Sequence, residues 1–202
     1  MQQILQRERC TVLSTRKPKL SVRELALFGV YAALMFLLKF AMQGLPNIHP
    51  LGLFIIVLTV QYRYRALIPL YVYVMIDGIV GGFALWWVPY LYIWTPLWAM
   101  AMGVSYLVRR FHLSGKVAAP LYMCIAALHG FSFGTLYAPF QALAYGLNFG
   151  GMLTWIAAGI PFDIVHGVSN FFVATLVVPM SAVVKNLEQR SAAALREPPA
   201  GE

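Results

Sequence analysis

The chain has 202 residues, of which 60% are apolar and only 11% charged, with a net charge of +8. A typical soluble domain is roughly 45–50% apolar and about 25% charged, so an ordinarily solvated globular protein is excluded, and the high hydrophobicity excludes disorder. The basic residues lie between apolar runs and not on a polar fold, which speaks against nucleic acid as a partner and for a lipid bilayer.

Residues 1–23 form a polar, basic segment, and no small-residue cleavage site follows the first apolar run, so a retained cytoplasmic tail is expected there. Apolar stretches follow at Leu25 to Met42, Leu51 to Tyr62, Ala66 to Val88, Pro89 to Val108, Val117 to Ala138 and Met152 to Val184. At about 20 residues per crossing these predict an all-α integral membrane protein, with a six-helix bundle over residues 24–185 and a cytoplasmic tail over 186–202. The cations support the count. Arg7, Arg9, Arg16, Lys17, Lys19 and Arg23 precede the first run, Arg63 and Arg65 fill the second loop, Arg109, Arg110 and Lys116 the fourth, and Lys185, Arg190 and Arg196 the C-terminal tail. Loops one, three and five have none, which places both termini inside a cell membrane. Lys39, near the outer end of the first run, is expected to snorkel to the interface. Cys10 and Cys124 form neither a disulfide framework nor a CxxC pair and read as free thiols.

In the first run, Gly29 and Ala33 form a small-xxx-small pair that admits close approach of another helix. The segment Gly44-Leu-Pro-Asn-Ile-His-Pro50 precedes a run of about 12 residues, too short to span alone, so a loop carrying Asn47 and His49 is expected to fold back towards the bundle. Asp77 lies at about mid-membrane in the third run, where an ionised group needs a partner or a cavity. The stretch from Trp86 to Trp98 holds four of the five tryptophans. These are either an interfacial belt or rings that stack on a ligand, for which Trp87, Tyr90 and Trp94 are the candidates.

The fifth run carries His129, with Tyr137 and Gln141 higher on the same segment. The last run, 33 residues long, exceeds one crossing, and Gly159 with Pro161 is the expected break, Pro161 opening the membrane-crossing part. Beyond it, Asp163, His166 and Asn170 share one helical face by their i, i+3, i+7 spacing. This stripe is either a structural hydrogen-bond ladder or a ligand-contacting face. Counted from the nearest inner cations at about 1.5 Å per residue, Asp77, His129, Asp163, His166 and Asn170 all lie in the outer half.

No phosphate loop, zinc-protease motif or nucleophile elbow is present, so neither ATP hydrolysis in the P-loop manner nor a recognisable hydrolase is expected. Metal ligation by the histidines and aspartates lacks spacing and supporting partners, and no metal or cofactor is assigned.

Three segments carry a resemblance to a known family. Arg23-Glu-Leu-Ala-Leu-Phe-Gly-Val-Tyr-Ala-Ala-Leu34, Leu45-Pro-Asn-Ile-His-Pro50 and Ala158-Gly-Ile-Pro-Phe-Asp-Ile-Val-His-Gly167 look like the first helix, first outer loop and last-helix start of the substrate-binding S component of energy-coupling factor (ECF) transporters. The resemblance covers nearly all of Val22 to Leu187. It implies a non-enzymatic six-helix bundle in a bacterial cell membrane that captures a vitamin or related micronutrient under outer loops one, three and five. It also implies a partner membrane coupling protein and two cytoplasmic ATPases, with Gly29 and Ala33 standing where the family has an Ala-xxx-Ala docking signature. The alternative from the residues is an ion-coupled secondary carrier or a small intramembrane enzyme using Asp77, Asp163 and His166.

Overall fold

The computed structural model describes residues 20–194 apart from Pro46; the tail assignments at 1–19 and 195–202 lie outside the described residues. Among the described residues all regular structure is helical. Helix α1 spans Val22–Ala41 and starts at a capping box, in which Ser21 Oγ accepts from the Glu24 amide at 3.1 Å while the Ser21 amide donates to Glu24 Oε2 at 3.0 Å. This satisfies two of the amides that a helix start leaves unpaired.

After the loop 42–50 comes α2, Leu51–Tyr62, whose residues Leu51 to Thr59 are buried without exception. A helix that is apolar all round belongs at the centre of a bundle, and α2 packs on both α4 (Thr95–Arg110) and α8 (Val177–Ala194). It ends at Arg63, which has φ +56°, an uncommon conformation for a side-chain-bearing residue. A 3₁₀ turn, Arg63–Ala66, leads into α3, Leu67–Gly81, which packs along α1. The carbonyl of Arg63 is held by the Trp98 indole N–H at 3.1 Å, which ties this turn to α4.

A second 3₁₀ turn, Val88–Leu91, precedes α4, and Pro96 occupies the first turn of α4, where a missing N–H is harmless. Helices α5 (Gly115–Phe131) and α6 (Phe133–Tyr145) meet at Ser132, and Gly146, with φ +63°, closes α6. Helix α7, Phe149–Val173, is capped by Asn148, whose side chain accepts from the Gly151 amide at 2.8 Å; a 3₁₀ turn, Ala174–Leu176, then leads into α8. Residues 186–194 thus continue α8.

The break expected at Gly159 and Pro161 is not there: α7 runs through both and the interruption falls at Ala174–Leu176. A proline removes one hydrogen bond, whereas opening the helix in an apolar setting would strand several, so the chain keeps the helix.

Among the described residues, five helical stretches are long and apolar enough to cross a membrane: Val22–Ala41, Leu51–Gly81, Val88–Arg110, Gly115–Tyr145 and Phe149–Ser191. Large apolar side chains such as Val22, Leu37, Ile79, Leu143, Phe162 and Phe172 face outward, as suits contact with lipid tails. Helices α5 and α7 approach closely. A Cβ at Gly130 would lie 2.6 Å from the Gly167 Cα, so the two backbones touch where these glycines meet.

Candidate functional site

Four elements bring a ring of aromatic and imidazole side chains together. The loop 42–50 supplies His49, the start of α4 supplies Trp94, the last turn of α5 supplies His129 and the middle of α7 supplies His166. His49 and His166 have ring centroids 4.9 Å apart, Trp94 lies 5.6 Å from His129, and His129 lies 6.5 Å from His166. Phe133, at the start of α6, contacts Trp94, His129 and His166. Trp94, His129 and His166 are almost fully buried.

The polar atoms of this cluster have few partners. His129 Nε2 donates to the Ile93 carbonyl at 2.8 Å, since a carbonyl only accepts. His49 Nδ1, Trp94 Nε1, His129 Nδ1 and both ring nitrogens of His166 are buried with no hydrogen bond. Buried polar atoms are nearly always paired, so several orphans in one cluster are hydrogen-bonding capacity that the protein itself does not use. Burial, reinforced by the Lys39 ammonium, lowers the His49 pKa to about 4, so this imidazole is neutral at physiological pH. Among the described residues no group of three or more His, Cys, Asp or Glu side chains is arranged to hold a metal ion.

Asp163 lies one turn before His166 on α7, and both its oxygens accept from the Gly134 amide at 3.0 Å. The amide belongs to the first turn of α6, a favourable place for a carboxylate. A Cβ at Gly134 would meet Asp163 Oδ2 at 2.5 Å, so the contact needs glycine. Beside it a cavity of about 320 Å³ is lined by Asn47, Phe133, Tyr137, Trp155, Phe162 and Asp163, among others. Tyr137 and Trp155 stack there, 5.9 Å apart at 14°.

A second charged feature borders the cluster. The ammonium of Lys39 pairs with Asp77 Oδ2 at 2.6 Å and lies 4.9 Å from the Tyr90 ring centroid, with Trp86 and Tyr73 within 6.0 Å. A buried carboxylate on the facing helix and an aromatic surround both favour a cation at this position. The pair lines a cavity of about 260 Å³ with Phe36, Phe40, Gln43 and Trp86. Tyr90 bridges the two features, since its ring also lies 5.7 Å from Trp94.

Four of the other sequence candidates have structural partners. Trp87 donates its indole N–H to the Val74 carbonyl at 2.8 Å and packs on Phe83, which pins the 82–91 segment to α3. Tyr137 donates to the Trp86 carbonyl. Asn170 reaches the Ala126 carbonyl at 3.5 Å and sits against Gly52, joining α7, α5 and α2. The Asn47 carbonyl accepts from Ser169 Oγ at 3.2 Å, which holds the loop on α7. Gln141 is half-buried with an unpartnered Oε1. Gly29 and Ala33 are exposed on α1, and a Cβ at Gly29 meets nothing within 4 Å.

Phe133, Trp155 and Lys39 were not expected at the site. Trp155 continues the Gly159 and Asp163 stripe at helical spacing, and Phe133 lies four residues beyond His129, so both carried a periodic signal. Comparison of the chain with protein-family models, with curated proteins and with solved structures finds no match.

Proposed function

We propose that the protein is the substrate-binding membrane subunit of an importer of the energy-coupling factor type, taking up a vitamin-like small molecule. The observation that carries this reading is the cluster of His49, Trp94, His129 and His166, with five buried ring nitrogens lacking partners. A pre-formed, largely aromatic site with a few convergent polar atoms suits a small organic ligand. Further support comes from the segment resemblances and from the lack of a phosphate loop, which leaves ATP hydrolysis to separate subunits.

In this reading the chain crosses the bacterial cell membrane six times, reversing at Arg63, with both termini inside. The histidine cluster then lies in the outer half, under the loop 42–50. A membrane coupling protein docks on the exposed α1 face around Gly29 and Ala33, and two cytoplasmic ATPases drive release inside.

The alternative carrier or enzyme needs free acids beside His166. Asp77 is paired with Lys39 and Asp163 accepts from the Gly134 amide, so both acids already have structural partners.

The test is mass spectrometry of small molecules released on denaturing the detergent-purified protein, beside a Trp94→Ala, His166→Ala double variant. A vitamin-like compound carried by the wild type and lost from the variant is expected. Equal profiles in the two overturn the site, and uptake by the protein alone under a proton or sodium gradient favours the carrier.

A further inference from the structure

At the cation-rich end of the bundle, α2, α4 and α8 border an open cavity of about 370 Å³ that shares no lining residue with the cavities already described. It is lined by Val60, Gln61, Arg109, Ser181, Ala182 and Lys185. Arg109 Nη2 donates to the Val60 carbonyl at 2.5 Å, which fixes the guanidinium at the wall and leaves its remaining N–H groups for a ligand. Lys185 has no hydrogen-bond or ion-pair partner among the described residues. Ser181, one turn before Lys185 on α8, has a buried hydroxyl with no partner.

No acidic side chain lines this cavity. The two described carboxylates at this end already have partners: Glu24 pairs with Arg65 at 2.6 Å, and Glu188, beside the cavity, accepts from the lining Gln61 Nε2 at 2.5 Å and from the Tyr62 hydroxyl. Two uncompensated cations and an orphaned hydroxyl therefore converge from two helices.

We propose that this cavity binds a phosphate-bearing anion. A guanidinium fork and an ammonium are the side chains that recognise phosphate. A tetrahedral oxyanion presents oxygens in several directions, which matches donors arriving from α4 and α8, and the orphaned Ser181 hydroxyl gains an acceptor. Val60 and Ala182 offer apolar wall to the carbon skeleton attached to the phosphate. The anion is either the headgroup of an acidic phospholipid or a soluble organic phosphate, and the site bridges α4 to α8 in both cases.

The experiment is native mass spectrometry of the full chain in detergent, titrated separately with phosphatidylglycerol, with phosphatidylcholine of the same acyl chains, and with glycerol 3-phosphate. One phosphatidylglycerol is expected to bind about tenfold tighter than phosphatidylcholine if the source is lipid. Saturable binding of glycerol 3-phosphate that competes with phosphatidylglycerol identifies a soluble phosphate instead. In either case Arg109→Gln with Lys185→Gln should weaken binding about tenfold, and Lys185→Gln alone, an exposed change that leaves folding intact, should weaken it severalfold. Equal affinity for the two lipids with no binding of glycerol 3-phosphate overturns the proposal. So does unchanged binding in the Lys185→Gln protein.

Discussion

Lys39 on α1 and Asp77 on α3 form an ion pair of 2.6 Å, with side chains 24% and 7% exposed. It is the polar fastening of an otherwise apolar helix pair. Removing one member of a buried pair strands the other charge, at about 3–5 kcal/mol for full burial. The partial exposure of Lys39 reduces this to about 2 kcal/mol for Asp77→Asn. The double change to Lys39→Met and Asp77→Leu should recover most of the loss, which thermal unfolding in detergent, followed by tryptophan fluorescence, will measure. Equal losses in the single and double variants would count against the pair.

His166 should show a trade between stability and binding. Both its ring nitrogens are buried without partners, and replacing an unsatisfied polar group by an apolar one of similar size is neutral or stabilising. His166→Leu is therefore expected to raise the stability of the ligand-free protein by about 1 kcal/mol and, under the proposed function, to abolish retention of a co-purified small molecule. A destabilised variant that still retains the molecule would contradict both halves.

The pH dependence follows from His49. Its pKa is lowered from the ordinary 6.5 to about 4 in the folded protein, so between these values the unfolded chain binds more protons than the folded one. Stability from this group is full above pH 6.5 and is lost as the pH falls towards 4. His49→Gln should flatten the fall in melting temperature over that interval. Parallel curves for the two proteins would remove His49 as a contributor.

Two glycines should respond oppositely to a side chain. Gly130→Ala brings a methyl group against the Gly167 backbone and should cost about 2 kcal/mol or more. Gly29→Leu has open space and should leave stability within about 0.5 kcal/mol. Under the proposed function it also leaves ligand retention intact and blocks uptake by the complete transporter. Normal uptake in that variant removes the docking role of α1.

Much of the helical order was legible from apolar run lengths, and the spacing of Asp163, His166 and Asn170 put them on one face, where all three are buried. The local pattern failed where tertiary contact decides. Lys39 and Asp77 are 38 residues apart, and nothing in either segment says that α1 and α3 are neighbours. Nor does the sequence show that the Trp87 N–H is donated to the Val74 carbonyl on α3. Pro161 suggested a helix start because its local preference is plain, whereas its cost inside an apolar helix depends on the alternatives open to the chain.

His129 and His166 each immediately precede one of the two touching glycines, Gly130 and Gly167. The separation of these imidazoles is thus set by backbone against backbone, with no compressible side chain between. This half of the histidine cluster is a fixed gauge. Under the proposed function, ligands of different size must be accommodated by the opposite half, His49 on its loop and Trp94 at the head of α4. Inherited changes in what the protein accepts are therefore expected to concentrate in those two segments, with the glycine pair held constant.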